Sequence, residues 1–345
     1  MIGYRRNIFI FVFNMSPYTH PRFKLFAFFV LLLILQGCYR SPGVWKNDEI
    51  SSGVKADFHS RTDELIGFIK LNQIKKVKGL LSRELNADNY TEPLVEHLSN
   101  RFNDDKYQLW EEFHMVSKFI DADTIKTGGK GINKYSLIFN QPPHEIYISF
   151  YLPKKKQNSY LISIIWSHLN YGWRVTGLSA EPYTRNGHTG PELYALAKEA
   201  FNKGDMIDAL LKAQLAGTCV NPIPEWHYTD VDSLADLTGH LITLANDKYK
   251  FPYVLNEIPT KPKIFRVFNQ DNDEGWFPMV DYLSSIKLKD EAAIRKENAQ
   301  VRKIIGTQMP GIDKDKKYVQ YSAFNQLPSV KREVDRVEMT DTLKK

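Results

Sequence analysis

The sequence predicts an α+β fold. Three observations carry that prediction. Apolar residues recur at helical spacing from Val54 to Phe102, short β-branched and aromatic runs separated by turn residues follow from Lys134 to Leu178, and after Tyr253 strand-like and helix-like stretches take a β-β-α-β-β order. With 345 residues the chain is long enough for two compact units of about 100–200 residues each. A hydrophobic content of 43%, an aromatic content of 13% and a charged content of 25% suit a chain that buries substantial cores.

The first element is a leader over residues 1–37. Residues 25–35 read LFAFFVLLLIL, an unbroken run of eleven apolar residues preceded by Arg22 and Lys24 and closed by Gln36-Gly37. The run is too short for a comfortable span of about 20 residues, and small residues follow it, as signal-peptide cleavage requires. Met15 is an alternative start that gives a shorter charged leader. The junction Leu35-Gln36-Gly37-Cys38 resembles the bacterial lipobox, an aliphatic residue, a tolerant position, a small residue and a cysteine. That resemblance implies cleavage between Gly37 and Cys38, lipidation of the Cys38 thiol and a membrane as partner through the lipid. Two or three acyl chains at about 0.8 kcal/mol per buried methylene anchor stably, where one does not. The alternative is an uncleaved amino-terminal anchor helix. With no acidic residue just after Cys38, known sorting rules imply outer-membrane attachment facing the periplasm. Residues 38–53 are rich in Ser, Gly and Pro and are expected to be a tether, with folded structure beginning near Val54.

Charge is informative mainly once the leader is subtracted. The chain carries 46 basic and 40 acidic residues for a formal +6, but Arg5, Arg6, Arg22 and Lys24 leave with the leader, so the mature chain stands at +2. Its densest basic runs, Lys75-Lys76 with Lys78 and Lys154-Lys155-Lys156, are short and separated, which argues against nucleic acid as a partner.

The first α+β unit is expected over 54–183. Phe58, Leu65, Ile69, Ile74, Val77, Leu80 and Leu81 mark helical faces, and Leu94, Val95, Leu98 and Phe102 mark an amphipathic helix after Pro93. The stretch 110–120 fits a helix or the start of a strand. Residues 134–139, 145–152, 159–166 and 172–178 predict an antiparallel meander, with turns at Asn140-Gln141-Pro142-Pro143, 154–158 and 168–171. Helices followed by such a meander, ending in Gly172-Trp173-Arg174-Val175, resemble the cystatin-like, nuclear-transport-factor-2-like cones over about residues 54–180. The likeness implies a fold used for small-ligand pockets, for dimerisation and in a few cases for catalysis.

A helical bridge is expected over 190–247. Pro191 suits a first helical turn, Gly204-Asp205 breaks the pattern, and 233–245 adds a further helix. Leu193, Leu196, Ala197, Ala200, Ala209, Ala213, Ala216 and Pro222 around that break resemble one tetratricopeptide unit. Pro222 falls one place late and no second copy follows at the ~34-residue period, so a single hairpin is the reading. The second α+β unit is expected over 250–340, with strands at 263–268 and 276–286, a helix at 291–305 and strands at 318–324 and 333–339.

Motifs that carry chemistry are scarce. There is no G-x-S-x-G elbow, the nine histidines are scattered singly, and Gly128-Gly129-Lys130-Gly131 lacks the spacing of a phosphate loop and reads as a turn. Asn269, Asp271 and Asp273 alternate as calcium-loop ligands do, but Gly275 is one place late and Val280 stands where a bidentate Glu belongs, so a polar hairpin loop competes with a calcium site. Cys219, left unpaired if Cys38 is lipidated, sits in an apolar helical context and reads as a buried hydrophobe. Aromatic pairs such as Tyr171 with Trp173, or Trp276 with Phe277, read as core. No cofactor is expected. The leading expectation is a non-enzymatic, lipid-anchored binding or envelope-assembly protein with an envelope protein as partner. The alternative is an enzyme or small-ligand binder with its pocket inside the cone.

Overall fold

The computed structural model describes residues 42–343 apart from 88, 119–122, 128–130, 155–156, 273 and 330–333. Gly37 and Cys38 lie outside the described residues. Gly43–Lys345 groups as one compact unit.

Folded structure begins earlier than the sequence pattern suggests. β1 (Gly43–Lys46) falls in the stretch expected to be tether, yet it pairs antiparallel with a later strand, Trp45 opposite His114. Exposed on one face only, this short segment carries too few residues for periodicity to show. Four helices follow: α1 (Ser52–Lys70), α2 (Ile74–Leu80), α3 (Arg83–Ala87) and α4 (Thr91–Asp104). α1 stops where Asn72 takes φ 50°, the Gln73 N–H donating to the Phe68 carbonyl and the Asn72 N–H to that of Ile69. That is the Schellman closure, in which an Asn tolerates the left-handed position better than a branched residue.

The strands β2 (Tyr107–Val116), β3 (Asp123–Lys126), β4 (Tyr135–Phe139), β5 (Glu145–Pro153), β6 (Tyr160–Leu169) and β7 (Gly172–Pro182) come next. Of the ambiguous stretch 110–120, residues 110–116 are therefore strand, and 119–120 lie outside the described residues. The main sheet runs β1-β2-β5-β6-β7, all antiparallel. The expected meander is corrected at one point: β4 leaves it and joins a second, three-stranded sheet with β3 and a later strand. Alternation along β6 explains the layering. Ile162, Ile164 and Trp166 face the helices and join Phe58, Leu65, Ile69, Val95 and Leu98 in one core. Leu161 and Ile165 point the other way and pack with Phe113, Ile148 and Phe150 under the small sheet. The main sheet is thus covered by helices on one face and partly by β-structure on the other.

The ribbon β8 (Thr184–Arg185) and β9 (His188–Thr189) turns through Asn186-Gly187, both at positive φ, as an Asn-Gly hairpin requires. Thr189 then caps α5 (Gly190–Asn202), its hydroxyl reciprocating with Glu192, and Pro191 occupies the first turn. α6 (Met206–Gly217) completes the hairpin. β10 (Trp226–Tyr228) returns to pair with β4 as the outer strand of the small sheet, Trp226 opposite Leu137. α7 (Leu234–Tyr249) and β11 (Tyr253–Val254) lead to β12 (Lys263–Asn272), β13 (Gly275–Leu283), α8 (Glu291–Gln308), β14 (Tyr318–Phe324) and β15 (Arg336–Thr342). The sheet order is β11-β12-β13-β14-β15, and β13 and β14 are parallel, joined by α8. The helical hairpin shares a single core with this sheet: Leu193, Leu211 and Leu215 pack with Val280, Ile294, Val301 and Tyr321. It is part of the second α+β layer system.

Candidate functional site: a groove on the outer face of the main sheet

The small sheet covers the outer face of β2 and β5 but leaves much of β6 and β7 open. There the sequence places small and hydroxylated residues. Ser163, Ile165 and Ser167 from β6, with Thr176, Gly177 and Ser179 from β7, form the floor of a groove of about 640 Å³. β7 can present adjacent residues Thr176 and Gly177 to one face because the register slips there: Ile165 pairs with Gly177 while Trp166 pairs with Val175. Gly177 is tight, since a Cβ would meet Ile165 Cδ1 at 2.8 Å. The Ser167 and Thr176 hydroxyls bond each other at 2.6 Å. Ser163 is 1% exposed and its Oγ meets no partner.

Two chain segments build the walls. The β4–β5 connection, Asn140-Gln141-Pro142-Pro143, turns with Gln141 at φ 53°, and the run Asn221-Pro222-Ile223-Pro224-Glu225 faces it. This second wall is tied down at its end, where the Ile138 N–H donates to the Glu225 carbonyl at 2.8 Å and Trp226 stacks on Tyr135 with centroids 3.5 Å apart. The prolines remove backbone donors that an extended wall would otherwise leave unpaired.

Two carboxyls border the groove. Burial pushes the Glu225 carboxyl up, offset only by its own backbone N–H, and burial alone pushes Glu181 up. Glu225 is half-buried and Glu181 stands exposed at the margin. Among the described residues neither has an ion-pair partner, and none of the described lining residues is Lys, Arg or His.

A second polar cluster lies at the other end of the main sheet. Glu112 accepts from the Tyr147 hydroxyl, lies 2.7 Å from His59 Nε2 and 3.1 Å from Lys55 Nζ, and takes its backbone orientation from the Asn47 side chain. Burial pushes this carboxyl up, but the bonds from Tyr147, His59 and Lys55 outweigh it and hold it below the usual range. Strand alternation sends the neighbouring Glu111, which follows a bulge at Trp110, to the opposite face, where it pairs with Lys46 at 2.6 Å and accepts from Tyr135. Burial and the nearby carboxylates push both tyrosines up. His114 lies 2.7 Å from Glu145 and stacks on Trp45. These titratable groups satisfy one another and pin β1 and α1 to the sheet, an arrangement that serves packing.

No family model, curated protein or solved structure matches this chain.

The residues singled out from sequence are dispersed. Cys38 and Asp273 lie outside the described residues. Asn269 donates to the Leu211 carbonyl at 2.8 Å and so braces the sheet to α6. Asp271 lies two residues on, bonded by the Gln270 side chain. Asn272 accepts from the Glu274 and Gly275 N–H groups at 2.9 and 3.1 Å, closing a tight β12–β13 turn. The loop expected as a calcium candidate is thus a hairpin, and among the described residues no group of three or more His, Cys, Asp or Glu converges as metal ligands would. Cys219 is fully buried, and burial pushes its thiol up, away from nucleophilic use. Of the aromatic pairs, Trp173 packs edge-on to Phe58, while Trp276 lies beside Arg185, a buried guanidinium held between the Tyr160 and Trp276 rings at 5.1 Å from each. Sequence reasoning missed the groove floor, whose signal is the hydroxyl alternation in Ser163, Ser167 and Ser179.

Proposed function

We propose that this chain is a lipid-anchored, non-enzymatic binding protein of the bacterial envelope, whose ligand is a small molecule held in the groove over β6 and β7. The groove carries the reading. It is concave, its walls are apolar and proline-rich, a few polar groups converge on it, and its volume falls within the ~300–1,000 Å³ of small-molecule sites. The resemblance of Leu35-Gln36-Gly37-Cys38 to a lipobox supports the anchored half, with Cys38 lipidated, and the lack of an acidic residue just after Cys38 supports outer-membrane attachment facing the periplasm. The space between the helices and the main sheet holds Phe58, Tyr147 and Trp166, which favours the outer face over the inside of the cone as the ligand site. The absence of an activated nucleophile among the groove's hydroxyls favours binding over turnover: no histidine stands among the described lining residues to take a proton from Ser163, Ser167 or Ser179.

Two measurements test the two halves. A Cys38→Ala chain in cells fed a palmitate analogue should lose label; label that persists sinks the anchor. An apolar environment-sensitive dye should bind the full chain saturably, and Ser179→Phe, which fills the groove from a half-buried floor position, should abolish that signal with the melting temperature retained. Undiminished dye binding would place the ligand site elsewhere.

A further inference from the structure

The lining of this groove is chemically one-sided. Its floor and walls are apolar or hydroxylated, the only ionisable groups among its described residues are Glu181 and Glu225, and neither carboxyl is neutralised by a neighbouring cation. A carboxylate drawn from water without a partner is costly, and natural interiors compensate it with a positive charge. Among the described lining residues no cation supplies that compensation. Nothing in the floor opposes a cation: the Ser163 Oγ is buried, without a partner and able to accept a hydrogen bond, while Ser167 and Thr176 are already bonded to each other.

We infer that the groove selects an organic ammonium, a cationic amine on an apolar body, with the apolar part over Ile165 and Ile223, the ammonium at Glu225, and Glu181 drawing the cation to the open margin. This rests on the proposal that the groove is a ligand site. A carboxylate ligand would meet two like charges. A neutral alcohol would leave Glu225 uncompensated. An amine supplies up to three donors on a compact charge, enough for the Glu225 carboxylate and an adjacent oxygen. The burial that pushes Glu225 up agrees with this, because an arriving cation relieves that penalty.

The test uses three probes with one ring and three head groups: benzylamine, benzyl alcohol and benzoate, titrated calorimetrically into the full chain in a non-ionic detergent against a detergent blank. Benzylamine is expected to bind one site at least about tenfold tighter than either other probe, the increment of a charge-assisted bond. Glu225→Gln should remove most of that preference, by weakening benzylamine and relieving the penalty that the buried carboxylate imposes on benzyl alcohol, and Glu181→Gln should remove a smaller part. Equal binding of amine and alcohol, or an unchanged preference in Glu225→Gln, overturns the cation assignment. If none of the probes binds while the apolar dye still does, the cation assignment fails and the groove reading stands; loss of dye binding as well refutes both.

Discussion

Trp226 is where the small sheet, the groove wall and the outer core meet, and replacing it tests that arrangement quantitatively. Its side chain is 0% exposed, stacks on Tyr135 at 3.5 Å and packs against Phe150 at 5.5 Å. Among the described residues the indole N–H makes no close hydrogen bond, Tyr228 being its nearest polar neighbour, so truncation loses chiefly packing. Burying a tryptophan and then deleting it to alanine costs about 3–5 kcal/mol, cavity included, and the aromatic stack belongs to the upper half of that range. For a chain of this size about 4 kcal/mol lowers the melting temperature by roughly 6 °C. Trp226→Phe removes the orphaned N–H with part of the ring, two opposed effects, and should cost less than half as much. Trp110→Ala is the control: it touches the same ring cluster at 6.3 Å but is 36% exposed, so about 1 kcal/mol is expected. Calorimetric melting of the three variants decides it. Because Ile223, Glu225 and Trp226 lie on one short segment, Trp226→Ala should also weaken dye binding at a temperature where the chain is still folded. A Trp226→Ala protein no less stable than Trp110→Ala would refute the claim that this residue holds the small sheet to the main one.

Three further outcomes follow from buried carboxyls. Glu112→Gln should cost about 1–3 kcal/mol at neutral pH, because Lys55 and His59 lose their charged partner; since its folded pKa lies below the usual 4.5, that stability is present above the usual range and lost as pH falls through the folded value, so chemical denaturation at pH 7 and pH 3 should show the gap closing. Glu225→Gln carries the opposite sign: the folded pKa is raised, so the wild-type chain is penalised above it and unpenalised below the usual 4.5, and the variant's relative stability should grow as pH rises through that window. A flat difference between pH 4 and pH 8 would contradict it. Glu297, on the buried face of α8, is 3% exposed with neither carboxylate oxygen bonded, so Glu297→Met should stabilise by about 1–3 kcal/mol, read as a melting temperature several degrees higher; a lower one would mean that the carboxylate is compensated.

Much of the fold was legible because its segments are long enough to show a period. β14 lies where the alternation of Tyr318–Phe324 put it, and α8 where the spacing of Ile294, Val301 and Ile305 put it. What escaped was short or depended on distant partners. β1 has four residues, and nothing in Gly43-Val44-Trp45-Lys46 announces that Trp45 will lie against His114. β4 reads as one more strand of the meander. Its departure to a second sheet is settled by Trp226, almost ninety residues on, whose ring needs Tyr135 to cover it. The Asn-Gly pair at 186–187 is a hairpin signal readable from sequence.

The groove was hidden for a different reason. A hydrophobic core declares itself by apolar residues and a catalytic or metal site by clustered His, Cys and acidic motifs, whereas this floor is built from residues that are informative only by where they are not apolar. In β6 the helix-facing positions are Ile162, Ile164 and Trp166, and the alternate ones include Ser163 and Ser167. A sheet face buried under a second layer has no reason to keep hydroxyls there, and one open to water has no reason to keep Ile165 among them. The mixture marks a face that is covered in part and left concave for the rest. The two carboxyls are harder still to see, because Glu181 and Glu225 are 44 positions apart and each looks like an ordinary solvated acid. Only the fold sets them on one groove with no cation among the described lining residues, and the proposed preference for an ammonium rests on that missing charge, a property of the assembled lining and of no single residue.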